Sequence, residues 1–90
     1  FKDERAWFFK ELSSVPFLRV IPSQANYFLC EVVGHVTTSK ELAIGLLSEY
    51  GILIKDCSGK AAFDGRNYIR IAIRNREDNL RLVNALKVMV

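Results

Sequence analysis

YIRIAIRNREDN, residues 68–79, sets Ile69, Ile71 and Ile73 against Tyr68, Arg70, Ala72 and Arg74 in strict alternation. Successive side chains of a strand point to opposite faces, so one face here is aliphatic and the other carries two guanidinium groups. The period then changes. Asn75 with Asp78 reads as the start of a helix that packs through Leu82, Val83, Leu86 and Met89. Such a strand needs a sheet beside it, and such a helix needs a surface to cover.

Upstream, ILIKD predicts a short strand and CSGKAAFDGRN a loop, with turn chemistry at Asp64-Gly65. Eleven residues exceed what a hairpin needs, and loops of that length are more often functional. Before them, Thr38 followed three residues later by Glu41 is a capping-box pattern. It opens a helix with an apolar stripe of Leu42, Ala43, Leu46, Leu47 and Tyr50, and Gly51 fits the left-handed position after it. ANYFLCEVV is rich in strand formers and apolar on both faces, which predicts a central strand covered on each side. Asn26 is its polar exception and would need partners if buried. PFLRVIP, bracketed by Pro16 and Pro22, reads as an edge strand. DERAWFFKEL, with Ala6, Phe9 and Leu12 at helical spacing, reads as a helix ending near Ser13-Ser14. The expected fold is therefore α+β: a small, mainly antiparallel sheet covered by helices, in the order α-β-β-α-β-β-α.

Ninety residues suit one domain, 1–90, and the opening FKDERAW, part-way into a helix, suggests a piece of a longer chain. The net charge of +3 permits an anionic partner but falls short of a dedicated nucleic-acid binder. The polar face of the last strand offers Tyr68 alone for stacking on bases, so no nucleic-acid partner is expected. No apolar run is long enough to cross a membrane. Cys30 and Cys57 lack metal-ligand spacing, and Cys30, inside an apolar run, reads as a buried reduced thiol. With His35 as the single histidine, neither a zinc site nor a histidine-based triad has enough parts.

Arg70 is the sharpest candidate for chemistry. A guanidinium on a strand can hold a carboxylate or phosphate through two parallel hydrogen bonds, although alternation alone favours a solvent-facing arginine. Lys55 could place a second positive charge beside it, or be an ordinary edge lysine that discourages sheet association. Arg74 and Arg76 read as solvated, with Arg76 pairing to Glu77 or Asp78. SGKAAFDGR fails as a phosphate loop, since Ile54 stands where the first glycine belongs and Ala61 where a hydroxyl is required. No catalytic set is present. The residues alone describe an anion-recognising half-site.

PSQANYFLCEV, LLSEYGILIKD and YIRIAIRNREDNLRLVNAL, in that order and spacing, resemble the C-terminal small domain of fold-type I, pyridoxal-phosphate-dependent aminotransferases. The nearest branch is the histidinol-phosphate aminotransferase group with its relative, threonine-phosphate decarboxylase. The resemblance runs nearly the whole chain and reverses the odds on Arg70, which matches the arginine that binds the substrate's α-carboxylate or phosphate. Lys55-Asp56 stands where the family often has Arg-Asp, and Asn26 matches an asparagine with a structural role. The resemblance implies a substrate-closing domain of an enzyme acting on an amino acid or phosphorylated amine. Pyridoxal phosphate would be bound by a large domain of the same chain, so that this piece has no catalytic or cofactor-binding residue and is inactive alone. It further implies a cytoplasmic homodimer. AIR, with Arg74 where many aminotransferases have glycine, sits closer to the decarboxylase pattern. A small-anion-binding module without catalysis is the alternative from another class.

Overall fold

The computed structural model describes residues 2–58 and 66–89. The Asp64-Gly65 turn, Lys60 and Ala61 lie outside them. The elements are α1 (Lys2–Ser13), β1 (Leu18–Ile21), β2 (Tyr27–Val32), α2 (Ser39–Tyr50), β3 (Lys55–Asp56), β4 (Tyr68–Ala72) and α3 (Arg76–Met89). Their order is the expected one. The four strands pair antiparallel throughout in the order β1-β2-β4-β3, so β1 and β3 are the edges.

The alternation of β4 sets the two layers. Ile69, Ile71 and Ile73 are buried against the helices, while Arg70 and Ala72 are exposed. Register carries the pattern sideways: Cys30 stands opposite Ile69 and Phe28 opposite Ile71. The core closes with Phe8 and Leu12 of α1, Leu42 and Leu46 of α2, and Leu82, Val83 and Leu86 of α3. Burial of a large aliphatic or aromatic side chain contributes roughly 1.5–3 kcal/mol, so this layer carries most of the stability of the fold.

Several expectations need correction. β2 is covered on one face only, because the helices all lie on one side of the sheet: Phe28, Cys30 and Val32 are buried, whereas Tyr27 is exposed and Leu29 and Glu31 are half-buried. Asn26 precedes that strand, is exposed, and contributes its backbone carbonyl, which accepts the Ile73 N–H at 2.9 Å. In α1 the buried pair is Phe8 and Leu12, four residues apart, while Ala6 is exposed. In α2, Leu47 falls outside the buried stripe.

The helix ends are set as the sequence suggests. The Thr38 hydroxyl accepts the Glu41 N–H at 3.1 Å and the Glu41 carboxylate accepts the Thr38 N–H at 3.2 Å. Gly51 ends α2 at φ 66°, in the left-handed region that suits glycine. The Asn75 side-chain carbonyl accepts the Asp78 N–H at 2.8 Å to start α3. Arg76 pairs with neither Glu77 nor Asp78. It reaches across to α1, its Nε 2.9 Å from Glu4 and its guanidinium over the Trp7 ring at 3.9 Å. A partner 72 residues away could not be seen from the local charge pattern.

Candidate functional site

The face of the sheet turned away from the helices is built in rows across the strands. In one row, Arg19 of β1 stands opposite Glu31 of β2, which stands opposite Tyr68 of β4. Arg19 donates to Glu31 at 2.9 Å, and its other nitrogen lies 3.4 Å from the Tyr68 hydroxyl. These contacts occupy the row, and Tyr68 is only 7% exposed, so it is no stacking platform. The next row runs across all four strands: Ile21, Leu29, Arg70, Lys55. Arg70 and Lys55 are thus direct cross-strand neighbours, and both are exposed. A third row brings Tyr27 opposite Ala72.

Between the second and third rows lies an open groove of about 950 Å3, lined by Asn26, Tyr27, Lys55, Arg70, Ala72 and Arg74 among others. The three residues that the sequence singles out, Arg70, Lys55 and Asn26, therefore meet at one place. Two were missed. Arg74 reaches the groove because positions 70, 72 and 74 share a face, a signal that the alternation already contained. Tyr27 reaches it through strand register, which no local pattern reveals. The Arg70 guanidinium lies over the Tyr27 ring, 5.0 Å from its centroid.

Electrostatically the groove is uneven. Arg74 is held by Asp78 at 3.1 Å, Arg19 by Glu31 and Arg76 by Glu4. Among the described residues no carboxylate pairs with Arg70 or Lys55. Asp56 borders the groove, but its carboxylate turns to the helix side: its Oδ1 accepts the buried Ser39 hydroxyl at 2.7 Å and the Ser58 N–H at 2.9 Å. Burial alone would push the Asp56 carboxyl up, but those hydrogen bonds and the Lys40 charge outweigh it and hold it below its ordinary value. An adjacent guanidinium and ammonium, with no described carboxylate paired to either, are the kind of groups that a carboxylate or phosphate would meet in this groove. The guanidinium supplies the paired donors and the ammonium a point charge.

The groove does not fit pyridoxal phosphate on these residues alone. That cofactor needs a lysine for its aldehyde and a free acid for its ring nitrogen. Lys55 and Asp56, adjacent on β3, point to opposite faces of the sheet, and Asp56 is already bonded to α2. Among the described residues no group of acidic, cysteine or histidine side chains could hold a metal ion, and no helix is long and apolar enough to cross a membrane.

Comparison with known proteins gives a consistent picture. The profile of the family "Aminotransferase class I and II" matches residues 1–86. The histidinol-phosphate aminotransferase of Methanococcus aeolicus is 38% identical over 73 residues, which are 81% of this chain and 19% of that protein. A decarboxylase from Sulfurospirillum multivorans superposes with a TM-score of 0.86 at 33% identity, covering 94% of this chain and 23% of that one. The L-threonine-O-3-phosphate decarboxylase of Porphyromonas gingivalis gives 0.82 at 28% identity, covering 96% and 26%. The chain spans less than a quarter of the length of such curated relatives, 19% of the Methanococcus aeolicus protein among them.

Proposed function

The chain belongs to the aminotransferase class I and II family, and from that premise we propose that it is the substrate-closing small domain of a pyridoxal-phosphate-dependent enzyme, with Arg70 as the ligand of the substrate's anionic group. The observation that carries this reading is the Arg70–Lys55 pair: two cross-strand cations at an open groove, unmatched by any described carboxylate. Arg70 grips a carboxylate or phosphate through paired N–H donors, and Lys55 adds charge without fixing orientation. Asn26 has a structural part, through its backbone carbonyl, in holding the groove's edge.

The bond-breaking chemistry belongs to the cofactor, which the rest of the protein would hold. This chain contributes orientation. Anchoring the acidic group from the small-domain side fixes which bond of the substrate's α-carbon faces the reacting centre. Closing the groove over a large domain of the same chain then excludes water. The full protein in this reading is a cytoplasmic homodimer acting on an amino acid or a phosphorylated amine in the manner of histidinol-phosphate aminotransferases. Reduced thiols such as Cys30 and Cys57 suit that compartment. A second reading, decarboxylation of a phosphorylated amino acid, is supported by the likeness to two decarboxylases of known structure.

One experiment separates them. The full protein, loaded with pyridoxal phosphate, is given L-histidinol phosphate or O-phospho-L-threonine, with and without a 2-oxo acid acceptor. Amino transfer that requires the acceptor and releases no carbon dioxide supports the transaminase. Carbon dioxide released from O-phospho-L-threonine without any acceptor supports the decarboxylase. Turnover of neither compound, in protein that holds the cofactor, refutes a phosphorylated amine as the substrate class.

A further inference from the structure

We propose that Tyr27 is a positioning residue: its ring holds the Arg70 guanidinium in the attitude from which Arg70 takes the substrate's anionic group. The inference rests on the reading of Arg70 given above. Tyr27 stands opposite Ala72 and therefore diagonal to Arg70 on the same face, a spacing that aromatic and long side chains can bridge. The methyl of Ala72 leaves the space between them open. The guanidinium carbon lies 5.0 Å from the ring centroid, within the range of a cation held on a π-face.

The two flanks of Arg70 act in the same direction. Lys55 stands directly opposite it, and like charges so placed repel. The guanidinium is thus driven from the β3 side and drawn to the β2 side. An arginine with four freely rotating bonds gains a fixed direction from this, and the entropy of ordering it is already spent before an anion arrives. Nor do the two interactions compete. The ring attracts the face of the guanidinium, whereas a carboxylate or phosphate takes the N–H groups along its edge.

Arg76 shows the same arrangement completed within the fold. Its guanidinium also lies over an aromatic ring, that of Trp7, and its Nε donates to Glu4 at 2.9 Å. Arg70 has the ring but, among the described residues, no carboxylate. The comparison assigns the anionic half of the Arg70 arrangement to substrate and the aromatic half to Tyr27.

The test uses the full protein and O-phospho-L-threonine or L-histidinol phosphate, whichever it turns over. Tyr27→Leu removes the π-face, Tyr27→Phe keeps it and removes only the hydroxyl. Tyr27→Leu is expected to raise KM about three- to fivefold, the scale of an exposed cation–π contact, with most of the effect outside kcat. Tyr27→Phe is expected to keep KM within about twofold of the parent. The inference is overturned if Tyr27→Leu leaves KM unchanged, or if Tyr27→Phe is as damaging as Tyr27→Leu, which would place the role in the hydroxyl. Arg70→Ala keeps the two levels apart. If it too leaves KM unchanged, the assignment of Arg70 fails and Tyr27 falls with it. If it raises KM while Tyr27→Leu does not, the positioning role alone is wrong.

Discussion

Replacing Arg70 is the sharpest perturbation of the site. Arg70 is exposed on β4 with Lys55 across the strand and no described carboxylate beside it, so its removal breaks no ion pair of the fold. On the proposed reading the lost interaction is with substrate. A hydrogen bond to a charged group contributes about 1.5–3 kcal/mol, and a guanidinium offers two in parallel. The groove is open to water and screened, so the lower end applies, about 3 kcal/mol, or roughly a hundredfold in affinity. Arg70→Lys keeps a charge but loses the paired geometry and should cost about tenfold, while Lys55→Ala should cost about threefold. The expected order of damage is Arg70→Ala, then Arg70→Lys, then Lys55→Ala. The assay is steady-state kinetics of the full protein, with cofactor content read from its visible absorbance as a control. KM should carry the loss, and cofactor content should stay near that of the parent. An Arg70→Ala protein with substrate affinity within about threefold of the parent, or a Lys55→Ala protein worse than it, would refute the reasoning.

Three further outcomes follow from the packing. Asn79→Ala should loosen the corner between β4 and α3, because the buried Asn79 amide bonds both the N–H and the carbonyl of Arg74, each at 3.0 Å, and Glu4 at 2.8 Å. Leaving such groups unpaired costs about 1–3 kcal/mol each, so amide exchange across this corner should speed by at least about tenfold; unchanged protection would contradict it. Stability should fall at acid pH. Burial would raise Glu4, but the bonds from Asn79 and Arg76 win and hold it, like Asp56, below its ordinary value. A depressed folded value stabilises above the unfolded value and is lost as pH falls through the folded one, so the protection factors of amides at the start of α2 and at the α1–α3 contact, corrected for the intrinsic exchange rate, should fall below about pH 4. Cys30, fully buried and pushed up to about 12 by that burial, should resist thiol reagents at neutral pH in the folded protein, and fast labelling would show that the β2 layer opens.

How much of this was legible without coordinates depends on whether the signal was local. The period-two run of β4 gave the core face, the polar face and Arg70 together, because alternation is a property of one strand. The capping box at Thr38 and Glu41 and the left-handed Gly51 are equally local. Coverage of β2 was misread for the opposite reason. Tyr27 and Leu29 are apolar enough to suggest a second buried face, but whether anything covers them depends on which side the helices take. The α1 stripe is ambiguous in sequence: in AWFF the helical period can be started from Ala6 or from Phe8. Both Phe8 and Phe9 bring their rings near Phe28, at 6.1 and 5.7 Å, but only Phe8 is fully buried while Ala6 is exposed. The arginines divide on the same line. Arg70, Arg74 and Arg76 look alike in sequence, within seven residues of one another. What separates them is the partner each meets: Tyr27 through strand register, Asp78 through one helical turn, and Glu4 with Trp7 from the far end of the chain. Two of the three are neutralised within the fold, and that difference, not the charge itself, is what supports the proposal that Arg70 meets an anion from outside.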